Sequence, residues 1–303
     1  MANSYNVTAL PDYVDQHREE LIAKAVLSSK SAEMFNLVTG VKSATALNRI
    51  STEVVFGDGA TCGWNEAGTA SLSQRIIEPK ALKVNMAICD KNLLSKWAAY
   101  LVKVEAGKTD RDLPFEEDFI NSVIKSVNAG VEKMIYQGDS AGSGTQFDGL
   151  IKILSSSSAV TSTTAASASA YDFLKAVAAK FPAEILDKED LVILVSMPTY
   201  NEYMQNLVSA NLYHYDPANG ENEYRLPGTN IRVIGVNGLN NAAKDYAIGG
   251  SLENFYYGTN LADGKEIFDL WYSKDNREFR LAIEFVAGVQ VGWDTEVVLG
   301  TRE

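Results

Sequence analysis

Between Pro114 and Gln137 apolar side chains recur at helical spacing: Phe115, Phe119, Val123, Val127, Val131 and Met134 or Ile135 fall on one stripe. Pro114 stands where a missing N–H does no harm, and Glu116, Glu117 and Asp118 sit at the positive end of the helix dipole. Lys133 lies near the other end, and Gly138 is a natural stop. At ~1.5 Å per residue such a helix runs on the order of 35 Å, long for one domain, so the rest of the chain must be arranged along it. The stripe predicts a spine.

The segments before the spine have little to bury by themselves. Pro11 to Val38 reads as a charged amphipathic helical arm, with Val14, Leu21, Ile22, Ala25 and Val26 spaced among Asp15, Arg18, Glu19 and Glu20. It must pack on a body or on a neighbour. Residues 47–92 then read as an extended β-excursion: Val54-Val55-Phe56 enters a polar, glycine-containing stretch around Trp64, and Leu82, Val84, Met86 and Ile88 alternate with Lys83, Asn85 and Ala87 on the way back. Its middle, Asn65 to Gln74, is too polar for a core and should reach away from the body.

After the spine, a glycine-rich turn leads into Phe147-Asp148-Gly149-Leu150, and the tract SSSSAVTSTTAASASA over 155–170 reads as a surface connection. A helix is expected over Tyr171 to Phe181, a buried strand over Leu191 to Val195, and another helix from Pro198. Short strands are expected at Ile231 to Val236 and Tyr246 to Ile248, separated by turns at Pro227-Gly228, Asn237-Gly238 and Gly249-Gly250. The C-terminal part alternates, with Phe279, Leu281, Ile283 and Phe285 on one face, then Trp293, Thr295, Val297 and Leu299.

Composition removes several kinds of function. Acidic residues outnumber basic ones 39 to 27, and the net charge of −12 works against attraction to nucleic-acid phosphate or an anionic membrane. No window approaches the ~18 continuous apolar residues of a membrane helix. Met1 to Leu10 lacks a signal-peptide pattern, so a cytoplasmic beginning is expected. Cys62 and Cys89 form no CxxC pair and have no nearby histidine, which predicts inert thiols and no zinc site. The run Glu116-Glu117-Asp118 is better explained by first-turn capping than by metal binding, because consecutive helical residues point in different directions. No cofactor is expected.

One motif invites an enzymatic reading. Gly138-Asp139-Ser140-Ala141-Gly142 fits the G-x-S-x-G pattern of a serine nucleophile, with His214 as the only downstream histidine. That pattern works at a strand-to-helix turn, whereas here a long helix precedes it and another glycine-rich turn follows, so a hydrolase using Ser140 and His214 is the lesser expectation. Loop glycines followed by Thr145, with no Walker lysine, argue against a phosphate cradle. His17, among charged neighbours on the arm, reads as a surface residue. Tyr213, Tyr215, Tyr224, Tyr256 and Tyr257 suit either a ligand groove, as in a tyrosine-lined binding module, or protein contacts.

In the order of its parts, the chain resembles the major capsid proteins of tailed bacteriophages, the Hong Kong ninety-seven fold. The resemblance runs from about Pro11 to Leu299. It is carried by architecture and local texture: the segment Gln146 to Leu150 after the spine, the stretch Pro227 to Leu239, and Arg277 to Val291. The resemblance implies an α+β fold with an N-terminal arm over 1–44, an extended β-hairpin E-loop over 45–92 and a peripheral domain over 93–150 with its spine helix at 114–137. An α/β axial domain over 151–261 and returning strands over 262–303 complete it.

It further implies a non-enzymatic virion protein that self-assembles into pentamers and hexamers of an icosahedral head around non-specifically held double-stranded DNA, built in the bacterial host cytoplasm without a membrane. Portal, scaffolding and decoration proteins are the implied partners. The arm begins within about ten residues of Met1, so a separate scaffold is expected. An encapsulin-like nanocompartment shell shares the fold and is the alternative shell. Subunit-interface residues expected on this reading are Trp64, Asn65, Glu66 and Arg75 of the loop, Tyr13 and Arg18 of the arm, and Tyr213 and Tyr215. Lys80 and Lys83 lie in the E-loop region, and nothing around them marks a covalent cross-link.

Overall fold

The computed structural model describes residues 9–56, 68–89, 102, 115–142, 144, 146–165, 168–212, 223–260 and 267–303. The chain opens with helices α1 (Ala9–Leu27) and α2 (Lys30–Met34) and a short strand β1 (Asn36–Val38). The arm expected as one helix to Val38 is thus helical only to Met34, and it bends at His17, whose φ/ψ leave the helical region. His17 is half-buried there rather than a plain surface residue: its ring stacks on Tyr13 at 4.5 Å, and its Nδ1 lies 3.0 Å from the Tyr13 carbonyl oxygen. A carbonyl only accepts, so Nδ1 carries the proton. Leu10, Val14, Leu21, Ala25 and Val26 are buried, so the arm closes its apolar stripe on its own subunit.

Strands β2 (Thr45–Glu53), β3 (Thr69–Ile77) and β4 (Lys80–Cys89) follow, then the spine α3 (Phe115–Gln137), which matches the predicted helix. The stretch expected as one excursion over 45–92 divides in two. Among the described residues β2 and β3 pair only with each other, whereas β4 pairs with ten residues of a C-terminal strand and belongs to the body. The alternation of Leu82, Val84 and Met86 is the signature of that body sheet.

Next come α4 (Leu150–Ser156), β5 (Thr161–Ala165), α5 (Ala170–Ala178), β6 (Leu191–Ser196) and α6 (Met197–Ser209). The chain ends with β7 (Glu223–Arg225), β8 (Arg232–Val236), β9 (Asp245–Ser251), β10 (Phe255–Thr259), β11 (Ile267–Ser273), β12 (Glu278–Val291) and β13 (Val298–Arg302).

Two sheets organise the body. The first has the order β1-β10-β12-β11, with β4 also paired to β12. Phe279, Leu281, Ile283 and Phe285 of β12 point inward and share a core with α1 and with Ile120, Val123, Ile124, Val131 and Ile135 of the spine. The second sheet has the order β5-β13-β9-β6-β8-β7, with parallel β6/β8 and β5/β13 pairs. Its central strand β6 is buried throughout, as its continuous apolar run predicts. Phe173, Leu174 and Val177 of α5 and Tyr203 and Leu207 of α6 form a separate core with it.

Three local expectations are corrected. The Ser/Thr/Ala tract is not merely a connection: its β-branched threonines supply edge strand β5, paired to β13. Gly249-Gly250 is not a turn but lies inside β9, where a Cβ on Gly249 would stand 2.7 Å from the Phe181 ring. The alternation from Trp293 to Leu299 is interrupted by a 3-10 turn at Asp294–Glu296 before β13 begins.

The end of the spine is tied to the second sheet at the turn after β8, whose Leu239 shares the first core with Ile135 and Tyr136. Gln137 Nε2 donates to the carbonyls of Gly238 and Asn240 at 2.6 and 3.0 Å. A Cβ on Gly238 would fall 2.2 Å from the Glu132 carbonyl oxygen, so only glycine lets the turn after β8 approach the spine this closely.

Candidate assembly surface

The β2–β3 hairpin stands on the body at its base and projects from it. Register pairs Thr45 with Ile77, Arg49 with Ser73 and Glu53 with Thr69. At ~3.4 Å per residue this ladder is about 30 Å long. One face of its base turns to the body, where Ile77 is buried and Leu47, Arg49, Ser73 and Arg75 are half-buried. The other face is open. There Asn48 and Gln74 are joined by a 2.9 Å hydrogen bond, and the next cross-strand pair, Ile50 and Leu72, is 66% and 77% exposed. Past β2, Val54 is 72% exposed and Phe56 94%.

A cross-strand apolar pair turned to water contributes only its own mutual contact, roughly 0.2–1 kcal/mol, in the isolated subunit. Burying each of these side chains against a partner is worth about 1.5–3 kcal/mol. Exposed apolar side chains paired across a projecting hairpin form a surface suited to contact with a partner.

Two arginines fix the base of the hairpin. Arg49 lies 4.4 Å from the centroid of the Trp293 ring and donates to the Gly292 carbonyl. Arg75 pairs with Asp294 at 2.7 Å and donates to the Val291 carbonyl at 3.4 Å. The turn that receives them is itself held: Asn254, a buried residue of the turn before β10, accepts from Trp293 N–H at 2.6 Å and donates to its carbonyl at 2.8 Å. Ser157 donates to the second carboxylate oxygen of Asp294 at 2.6 Å.

The residues singled out from sequence scatter. Arg75, expected at an intersubunit contact, is engaged within its own chain. Tyr13 packs half-buried beside His17, and Arg18 is exposed on the arm. Trp64, Asn65, Glu66, Tyr213, His214 and Tyr215 lie outside the described residues. Among the described residues the tyrosines do not gather into one groove: Tyr257 is buried in the first core, donating to the Val26 carbonyl at 3.3 Å, and Tyr224 in the second. Arg49, Trp293 and Asn254 carried no sequence signal beyond an arginine on a strand and a tryptophan near a turn.

The Ser140 loop does not have the strand-to-helix geometry of a serine nucleophile elbow among the described residues. It follows a helix and is closed by a 2.9 Å hydrogen bond from Gly149 N–H to the Gly138 carbonyl, while the Ser140 N–H donates to Asp148 at 2.8 Å. Ser140 Oγ lies 3.3 Å from Lys152 Nζ, which also contacts Asp139 at 2.6 Å and Asp148 at 2.7 Å. Hydrogen bonds to these two carboxylates raise the Lys152 pKa and favour its charged form, which works against its serving as a base toward the serine. Among the described residues there is no His, Cys, Asp and Glu cluster suited to a metal ion, and no helix is long and apolar enough to cross a membrane.

No protein-family model and no curated protein matches the sequence. Solved structures do match in fold. A chain of the satellite phage P4 procapsid, solved with the size determination protein Sid, superposes with a TM-score of 0.62 at 12% identity, over 100% of this chain and 94% of that one. The capsid of the empty GTA particle gives 0.57 at 13% identity, over 92% and 90%. A chain of Mycobacterium phage Che8 gives 0.52 at 10% identity, over 90% and 91%. With a mixed α+β body matched over nearly its whole length, this chain has the fold of the phage capsid proteins.

Proposed function

We propose that this chain is the structural major capsid protein of a tailed-phage head, assembling as pentamers and hexamers into an icosahedral shell around double-stranded DNA. The observation that carries the reading is the β2–β3 hairpin, a long ladder with Ile50 and Leu72 exposed on a face its own subunit does not cover. Each copy offers a hairpin and must receive one. Such heterologous contacts propagate into closed rings and lattices. The net charge of −12 suits a container wall that should not grip the DNA it holds.

On this reading Trp64, Asn65 and Glu66, between β2 and β3 in sequence, extend the contact made by the hairpin. Tyr13, Arg18, Tyr213 and Tyr215 contribute further contacts between subunits. Separate portal, scaffolding and decoration proteins are its partners, the shell is assembled in the host cytoplasm, and the protein ends in the virion.

Negative-stain electron microscopy with light scattering on the purified chain tests the reading. Rings, tubes or shells are expected from the wild type, and a folded, unassembled subunit from the Ile50→Asp/Leu72→Asp variant. A wild type that stays monomeric at high concentration, with a candidate scaffold supplied, would overturn it.

A further inference from the structure

We propose that Arg49 and Arg75 form a clamp that sets the angle of the hairpin to the body, and through it the curvature of the lattice that the subunit builds. The inference rests on the capsid reading for its second half; the first half concerns the single subunit alone.

The hairpin reaches far from its support, so a small rotation at its base moves its tip by a large distance. Two strands with a free outer face have no wide contact to resist that rotation. What resists it is concentrated on two neighbouring body-facing rungs of the ladder, Arg49 opposite Ser73 and Arg75 opposite Leu47. Arg49 on β2 and Arg75 on β3 both face the body, and both end on the same short turn, Arg49 over the Trp293 ring and at the Gly292 carbonyl, Arg75 on the Asp294 carboxylate and at the Val291 carbonyl. One strand alone could pivot about its arginine. Two strands tied side by side cannot.

The receiving turn is preorganised. Asn254 brackets the backbone of Trp293 with two hydrogen bonds, Gly292 N–H donates to the Asn254 carbonyl at 2.9 Å, and Ser157 holds Asp294 from the far side. A planar guanidinium can stack on an indole and donate from its edge in one pose, which a lysine cannot do. The choice of arginine at both positions therefore matters for direction and not only for charge. Gln290 Nε2 adds a bond of 2.6 Å to the Ile76 carbonyl beside the clamp, and Ile77 is buried at the foot of β3, while the two arginines make the polar side-chain contacts to the receiving turn.

In a lattice each hairpin has to meet its neighbour at a repeated angle, because errors in that angle accumulate around a ring. A hairpin held at one angle gives one curvature. A hairpin free to swing still binds, since its apolar face is untouched, and yields mixed curvatures.

The test uses the full chain with Cys62→Ser and Cys89→Ser, and spin labels at Ser71→Cys on the exposed edge of β3 and Lys133→Cys on the exposed side of the spine. A single narrow label distance is expected with the clamp intact, and loss of that single distance in Arg49→Ala/Arg75→Ala. Trp293→Ala should broaden it too, and should add little to Arg49→Ala, because both remove the same contact. Near-ultraviolet circular dichroism and melting check that the body remains folded. By electron microscopy the double variant should build shells, tubes and spirals of mixed diameter where the wild type builds one kind. An unaltered distance distribution in Arg49→Ala/Arg75→Ala overturns the clamp whether or not shells form. Wild type that stays monomeric at high concentration with a candidate scaffold supplied overturns the capsid reading alone, because the label distance still decides the clamp.

Discussion

Glu132 is an acidic side chain held almost out of water where the arm meets the spine. Its carboxylate accepts from the Ser31 N–H at 3.1 Å and the Ser31 hydroxyl at 2.6 Å, and Tyr136 OH lies 2.6 Å from that same hydroxyl. Lys30, next to it, donates to the Gly235 carbonyl at 3.2 Å. Burial raises the Glu132 pKa above its ordinary 4.5, and the hydrogen bonds from Ser31 and Ser29 and the charge of Lys30 pull it back only in part. The folded state therefore keeps a proton that the unfolded chain has lost, so this site contributes stability that is fully present below the unfolded pKa and is lost as pH rises through the folded one. Glu132→Gln, which does not titrate, should gain on the wild type as pH rises from below that ordinary value toward neutrality, measured as paired thermal melts. A constant gap would mean that the carboxyl is not titrating in this range. Glu132→Ala leaves the Ser31 N–H without its acceptor and should cost about 1–3 kcal/mol at low pH, where the carboxyl is protonated, with the gap narrowing as pH rises.

At the scale of elements, the hairpin can be separated from the subunit that carries it. Replacing residues 50–72 by a short glycine linker keeps the Arg49–Ser73 register and both arginines, and removes side chains that are exposed, Ile50 and Leu72 among them, apart from those between β2 and β3 that lie outside the described residues. Because little buried apolar surface goes with them, the truncated subunit should melt cooperatively near the wild-type temperature while assembly is abolished. Closed shells from the truncated subunit would show that the hairpin is not a lattice element. The spine and the C-terminal alternation were legible in sequence because burial there follows the period of one element. The division of the excursion at Lys80 was not, because β4 reads the same whether its partner is β3 or β12, and that partner lies some two hundred residues away. The clamp was hidden for the same reason: an arginine on a strand looks solvated until the turn at Trp293 is brought beneath it. The threonine tract misled because its composition lacks large side chains, while an edge strand needs only branched residues and one paired neighbour.

For the whole molecule, charge and apolar contact act in opposite directions when copies meet. Every subunit carries a net charge of −12, so approach of two copies is resisted over a distance set by the Debye length, ~10 Å at about 0.1 M salt and ~30 Å at about 0.01 M. The side chains that hairpin docking would bury, Ile50, Leu72 and their neighbours, are uncharged, and their burial is not weakened by moderate salt. Repulsion should therefore limit the rate at which contacts form, while apolar burial decides whether they last. Assembly followed by light scattering should accelerate as sodium chloride is raised from low to physiological concentration, with the same particles at the end. A lattice held mainly by ion pairs between subunits would respond in the opposite sense, slowing and dissolving as salt rises. The same charge predicts that subunits compete poorly for duplex DNA at physiological salt, so retention of short duplexes on immobilised shells should be negligible and should not rise when salt is lowered, as it would for a surface that neutralises phosphates.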